Sequence, residues 1–268
     1  MAFLAVPGPF DFTLTTERFR AFGVDRASLW HEGGLHLAVG GRELRLEAAP
    51  GGVDAAPLDR ETEPDVRTVL GLAFELEPFY AWAAADEVLG PATCRLVGFR
   101  PTLARDPFEM IVGAITSQQV SLRSAGAMRN RFIERFGVQV GQAWAFPTRE
   151  ALAAASEEEL FEAGFSRRKA EYTIGLARAD LDLHDLALLP DDEVKARLVA
   201  VRGLGEWTAE WFLARHLARP NAWPWGDLAL RKAVADLYGG LDVREARERF
   251  HPFENLSAHY LLLAQRVP

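Results

Sequence analysis

Residues 201–217, VRGLGEWTAEWFLARHL, followed by residues 221–233, NAWPWGDLALRKA, decide how this chain is read. Upstream, Asp191 and Asp192 open an amphipathic run, DEVKARLVAV, that stops at Gly203-Leu204-Gly205, where a second helical run begins at once. Two helices over about residues 191–217 thus meet in a hairpin too short for anything but glycine. Gly203 and Gly205 can both take positive φ, and without a Cβ they let another backbone approach closely. The second helix is expected to start at about Gly205 to Trp207 with its first N–H groups unpaired, a natural seat for a phosphate. Two readings fit the stretch alone: a hairpin that holds a nucleic-acid backbone, or an ordinary αα-corner closed by glycines.

Asp227 follows Trp223-Pro224-Trp225-Gly226 and precedes the helical run LALRKAVADLY. Aspartate is among the best helix N-caps, and a cap is its plain reading. Capping and chemistry are compatible, because N–H groups that fix a carboxylate rotamer also favour the ionised form. An ionised carboxylate in a pocket walled by aromatics can stabilise a cationic sugar transition state or orient water at the sugar carbon. Trp207 and Trp211 lie one helical turn apart and share a face. They are either core residues or indole faces for a flat base, a positively charged base best of all, through stacking and cation–π attraction.

The 268 residues suffice for two compact domains or one large one. With 49% hydrophobic and 25% charged residues, the composition is that of a soluble globular protein. There is no apolar run of about twenty residues, and MAFLAVPGPFDF lacks the basic start and long apolar core of a signal peptide, so the cytoplasm, with the chromosome, is expected. Cys94 is the only cysteine, which excludes intramolecular disulfides, cysteine zinc sites and four-cysteine iron–sulfur clusters; it reads as a small buried residue. A net charge of −8 argues against DNA binding through a broad basic surface, though not against a small footprint of backbone amides and a few arginines. Phosphate-cradling glycine loops, a His-x-x-x-His pair and a Gly-x-Ser-x-Gly elbow are all missing.

From Ser28 to Glu47 three alternating runs, separated by Gly33-Gly34 and Gly40-Gly41, predict tight antiparallel hairpins, with His31 and His36 in surface or packing roles. A helix is expected around residues 15–22, and residues 51–64 read as a loop. From about residue 65 onward the reading is all helix. Helical runs cover residues 65–74 and 79–89, and Asp106, Pro107 and Glu109 mark the next helix start. That helix runs into Ser117-Gln118-Gln119-Val120-Ser121, either a solvated junction or a polar tip that inserts Gln119 or Val120 into a groove. The following helix ends at Gly137 and carries Arg123, Arg129, Arg131 and Arg135, read as mostly a solvated face. Thr148 and Ser156 are expected N-caps, Ser156 with Glu159 as its capping-box partner. Arg167, Arg168 and Lys169 at a helix start oppose the macrodipole, so an anion nearby is expected, a phosphate or a carboxylate such as Glu162.

Taken together, FRPTLARDPFEMIVGAITSQQVS, GFSRRKAEYTIGLA, VRGLGEWTAEW and WPWGDLALRKA resemble the helix-hairpin-helix DNA glycosylase superfamily, and within it 3-methyladenine DNA glycosylase II, the AlkA type. The likeness covers nearly the whole chain. It implies an α+β, mainly α-helical fold: a β-rich antiparallel domain over 1–64, then two helical subdomains with a cleft over 65–268, the helix-hairpin-helix at about 191–217. By position, Asp227 resembles the catalytic aspartate, and Trp207, Trp211 and Phe19 the base pocket. Arg202, Gly203, Leu204, Gly205 and Thr208 resemble the hairpin that grips a phosphate beside the lesion. Gln118, Gln119 and Ser121 match the tract that fills the gap left by a flipped base. Backbone carbonyls of Val199, Val201 and Leu204 would hold a structural Na+ or K+, no other cofactor being required.

The resemblance implies a monomer that acts on double-stranded DNA containing alkylated bases, with no membrane role. Relatives that also cut the strand carry a nucleophilic lysine at the position of Trp207; an indole forms no Schiff base, so a monofunctional enzyme is implied. Alkylated bases such as 3-methyladenine and 7-methylguanine are cationic and leave readily once the nucleotide is extruded. The sequence departs from the family at Leu261-Leu262-Leu263, where better-known relatives line the pocket with aromatics, and at Arg202, which replaces a hairpin proline. Glu206 puts an anion beside the phosphate site, and Gln119 is polar where some relatives insert an apolar wedge. The alternatives are a non-catalytic module that binds damaged DNA and a strand-cutting glycosylase for oxidised bases.

Overall fold

Alternating apolar side chains build a sheet at the N-terminus. In the computed structural model, which describes residues 1–267, its strands are β1 (Ala2–Ala5), β2 (Ser28–His31), β3 (Gly34–Val39), β4 (Arg42–Ala49) and β5 (Gly52–Ala56). They pair antiparallel in the order β1-β5-β4-β3-β2. The register sets Leu35 opposite Leu46 and Leu37 opposite Leu44, so one face is a leucine layer. The expected loop over residues 51–64 is wrong in its first part: β5 lies inside the sheet, with Val53 and Ala55 buried between β1 and β4. Two inward residues amid glycine, aspartate and alanine give too short an alternation to stand out from a loop.

The helices are α1 (Phe12–Thr15), α2 (Arg18–Ala21), α3 (Glu63–Val69), α4 (Leu76–Ala83), α5 (Leu89–Arg95), α6 (Pro107–Ser117), α7 (Leu122–Phe136), α8 (Arg149–Ala154), α9 (Glu157–Glu162), α10 (Arg167–Arg178), α11 (Asp191–Ala200), α12 (Glu206–Arg215), α13 (Leu228–Leu237), α14 (Ala246–Arg249) and α15 (Glu254–Ala264). Side-chain caps start many of them. Asp106, Ser121, Thr148, Ser156 and Ser166 each accept from the N–H three residues on, and Ser156 with Glu159 completes a capping box. The helical reading beyond residue 65 misses one hairpin, β6 (Val138–Val140) and β7 (Ala143–Ala145), which follows Gly137 and docks on the sheet side through Trp144 N–H to Arg26 O at 2.9 Å. Three-residue strands carry too little periodicity to be seen.

The apolar interior divides into three clusters. One joins the leucine layer to Phe12 and to Val66, Val69 and Leu70. A second spans residues 108–222, including Phe132, Phe165 and Phe212. The third combines residues 74–103 with residues 223–263, around Phe79, Trp223 and Tyr260. The chain therefore leaves one helical body, builds the other and returns, and α12 runs along the seam. Cys94 is exposed, contrary to its expected burial, because α5 turns Leu89, Gly90, Ala92 and Thr93 inward. The cations at the start of α10 are also explained differently: Lys169 Nζ donates to Thr116 O at 2.8 Å, at the negative end of α6, while Glu162 pairs with Arg135.

Gly98 fastens the N-terminal layer to the helices. Its φ is +83°, its carbonyl accepts from Asp11 N–H at 2.9 Å, and a Cβ there would lie 2.5 Å from Asp11 N. Gly98→Ala is therefore expected to cost about 2 kcal/mol or more in urea unfolding. Gly175→Ala, in the exposed interior of α10 with nothing within 4 Å of the new methyl, should stabilise by about 0.5–1 kcal/mol.

Candidate functional site

The hairpin between α11 and α12 is held from three sides. Gly203 has φ +94°, and a Cβ on it would reach within 2.2 Å of the Tyr172 ring, so α10 packs against bare backbone there. Arg202 pairs with Glu171, also on α10, at 2.7 Å. Gln118 Nε2 donates to Gly203 O at 3.1 Å, which joins the Ser-Gln-Gln tract to the hairpin. Gly205 differs from expectation: its backbone is extended, φ −123° and ψ 178°, and nothing lies within 4 Å of a Cβ. It serves as N-cap of α12 without a side-chain bond, so the first N–H groups face open space. Leu204 is buried, its N–H donating to Val201 O at 3.1 Å, and Thr208 is buried behind it. Gln119, with φ +56°, forms an exposed tip beside the hairpin, and Ser121 caps α7.

Asp227 accepts four N–H groups. Oδ1 takes Ala229 N at 2.9 Å and Leu230 N at 3.0 Å, the N-cap arrangement of α13. Oδ2 takes Trp207 Nε1 at 3.1 Å and Trp211 Nε1 at 3.0 Å. The indoles beside this carboxylate therefore come from α12, not from the adjacent Trp-Pro-Trp. Trp223 is buried in the third core, donating to Val243 O at 2.7 Å, and Trp225 lies under Arg244. Glu210 fixes the loop that carries Asp227: buried on α12, it accepts from Trp223 N–H at 3.1 Å and pairs with Lys195 on α11 at 3.2 Å.

Asp227, Trp207 and Trp211 line a cavity of about 400 Å³ that Phe19 helps to close. Sequence reasoning missed the arginines in its wall. Arg215, four residues past Trp211, lays its guanidinium 4.1 Å from that ring's centre, so the Trp211 face is covered. Burial, then Arg18 nearby, push Arg215 down to about 9, Asp227 opposing. Arg18 reaches only the Thr102 hydroxyl at 3.5 Å, and Arg266 pairs with Glu17 at 2.8 Å. His259 stands edge-on to Trp211, its Nε2 without a partner; burial, with Arg215, Arg18 and Arg266 adding to it, holds it well below the usual histidine range. The spacing of Trp211 and Arg215 was the one available signal; Arg18, His259 and Arg266 come from remote elements. Arg129 was misread as solvated: it is largely buried, bonded to Asp25 at 3.0 Å and to Glu109, because the N-terminal segment folds over α7. Among the described residues no group of three His, Cys, Asp or Glu could hold a metal, and no helix is long and apolar enough to cross a membrane.

A family model described as HhH-GPD superfamily base excision DNA repair protein matches residues 112–255, which include the hairpin and Asp227. The chain belongs to this superfamily. It is similar to the DNA-3-methyladenine glycosylase of Bacillus subtilis (strain 168), with 29% identity over 193 residues, 68% of this chain and 64% of that protein. The match thus spans just under two thirds of that relative. Among solved structures, a 3-methyladenine DNA-glycosylase from Archaeoglobus fulgidus superposes with a TM-score of 0.86 at 30% identity, covering 100% of this chain and 99% of that one. The Schizosaccharomyces pombe 3-methyladenine DNA glycosylase in complex with abasic DNA gives a TM-score of 0.59 at 25% identity, covering 69% and 94%. Within the HhH-GPD frame, the α+β architecture with its small antiparallel sheet is as expected.

This HhH-GPD chain holds its aspartate through Glu210. Glu210→Ala strips the acceptor from a buried N–H and leaves Lys195 without that partner, and is expected to lower stability by about 2–4 kcal/mol in denaturant unfolding. Lys195→Ala leaves the buried Glu210 carboxylate without its cation, with the Trp223 N–H as its remaining donor, and should also destabilise, by about 1–3 kcal/mol.

Proposed function

We propose that the protein is a monofunctional DNA glycosylase: it binds duplex DNA, turns a damaged nucleotide into the cavity and hydrolyses its N-glycosidic bond. The observation that carries this reading is the Asp227 carboxylate, held by four N–H donors on the wall of a cavity next to a hairpin with free amides. A volume of about 400 Å³ falls within the roughly 300–1,000 Å³ usual for small-molecule sites. The amides at the start of α12, with Gly203, Leu204, Gly205, Thr208 and Arg202 around them, would bind the phosphates beside the extruded nucleotide. Gln119, with Gln118 and Ser121 positioning its loop, would fill the space vacated in the duplex. Backbone carbonyls of Val199, Val201 and Leu204 would add a Na+ or K+ to that grip; Val201 O also accepts from Leu204 N–H.

At the sugar, Asp227 stabilises the oxocarbenium character that develops as the glycosidic bond stretches, and then orients the water that adds to C1′. The two indole N–H groups and the two α13 amides hold the carboxylate in one rotamer, so no reorganisation is needed during the reaction. Phe19 and the free face of Trp207 flank the base. Trp207 cannot form an imine, and among the described residues lining the cavity there is no lysine. Hydrolysis without strand cleavage follows, in a protein that acts as a monomer. With a net charge of −8, binding rests on the hairpin amides and a few arginines, and its salt dependence is correspondingly shallow.

The test is release of damaged bases from alkylated duplex DNA by wild type and Asp227→Asn under single-turnover conditions. Asn keeps one acceptor but not the charge, so release is expected to fall by at least ~100-fold, while binding to a duplex with an abasic-site analogue is retained. No strand should be cut without heat or alkali. Tight binding to that duplex with no base released by wild type, from alkylated or from deaminated duplex DNA, would instead identify a damage-binding module.

A further inference from the structure

The cavity wall carries more positive charge than the overall composition suggests. Arg266 is balanced by Glu17, Arg105 by Asp65, and Arg129 by Asp25 and Glu109. Arg18 and Arg215 have no carboxylate within salt-bridge reach among the described residues, and Arg215 Nε is buried without a partner. The Trp211 face, where a cationic base would gain cation–π attraction, already carries the Arg215 guanidinium. His259 lines the same cavity, its Nε2 buried without a partner, and burial, with the surrounding guanidiniums adding to it, holds it well below the usual histidine range.

Building on the glycosylase reading, we propose that Arg215, with Arg18, makes this cavity selective for uncharged bases whose edge offers hydrogen-bond acceptors, and that it disfavours cationic bases. A cationic ring would sit against two unpaired guanidiniums, with Asp227 the one carboxylate among the described lining residues outside a salt bridge, so that repulsion outweighs attraction. A neutral ring with a carbonyl oxygen or an unprotonated ring nitrogen accepts from the free guanidinium N–H groups. Such a base is a poorer leaving group, and the same donors offset this. As the C1′–N bond breaks, its electron pair stays on the base, where Arg215 stabilises the developing negative charge. Water then supplies hydroxyl to C1′ and, through solvent, a proton to the base nitrogen, so the step balances without a further reactant. Leu262, on the same wall, adds no charge.

The experiment compares matched duplexes carrying one hypoxanthine, which is neutral, or one 7-methylguanine, which is cationic. Single-turnover release is divided by spontaneous release of the same base. Arg215→Met, which still covers Trp211 but carries no charge, is expected to lower release of hypoxanthine and to maintain or raise that of 7-methylguanine. The ratio should fall on the order of 10-fold or more. Arg215→Lys, which keeps the charge, should stay within a few-fold of wild type for 7-methylguanine. Equal losses for both bases in Arg215→Met would reduce Arg215 to a packing residue and overturn the proposal. So would wild-type release of 7-methylguanine with none of hypoxanthine, although the glycosylase reading would survive that result. Release of neither base by wild type would overturn the glycosylase reading and this proposal with it. Should Arg215→Met fail to bind the abasic-analogue duplex, Arg18→Met provides the same comparison at the other unpaired guanidinium.

Discussion

Four N–H groups converge on one carboxylate, and the site depends on that convergence. Two belong to indoles of α12 and two to the backbone of α13, which sit in different apolar cores. Asp227 is thus a helix cap and a clasp between the two helical bodies. A carboxylate with four donors has one low-energy rotamer, and its position relative to the cavity is set by both cores at once. Glu210 reinforces this from beneath, binding the loop before Asp227 to the helix that supplies the indoles.

The hairpin is organised by the same logic of shared support. Gly203 allows Tyr172 to pack on its backbone and offers its carbonyl to Gln118, so the surface tract is bonded directly to the hairpin. The α12 helix begins at those free amides and ends in Arg215, whose carbonyl accepts from Ala104 N–H. Within three turns it spans the exposed phosphate seat, the two indoles and the guanidinium on the cavity wall. Charge is distributed accordingly. The protein as a whole is acidic, −8, yet the cavity gathers Arg18, Arg215 and Arg266 against Glu17 and Asp227. Net charge therefore describes solubility here and says little about what the cavity accepts.

Much of the local structure was legible. Caps at Asp106, Thr148, Ser156 and Asp227 are side-chain chemistry with a fixed spacing, and each is found. The double-glycine turns of the N-terminal sheet are equally local. By contrast, β5 and the β6–β7 hairpin escaped because their alternation is too short to be seen and their place depends on packing: β5 sits beside β1, far from it in sequence, and the hairpin lies against β3. Arg129, Cys94 and Lys169 were misplaced for a related reason: burial of a single side chain depends on which element comes to lie over it.

By itself, the sequence determined the helical hairpin, the acid twenty residues beyond its tryptophan and the helix that this acid caps. These are short-range matters of backbone conformation and capping, specified by neighbouring residues. Only the tertiary structure decided that Trp207 and Trp211 donate to Asp227 through their N–H groups, that Arg215 covers the Trp211 face, and that Arg18, His259 and Arg266 join it around one cavity. Contacts among residues 18, 215, 259 and 266 arise from the packing of remote elements, and no local spacing encodes the charge of a wall assembled that way.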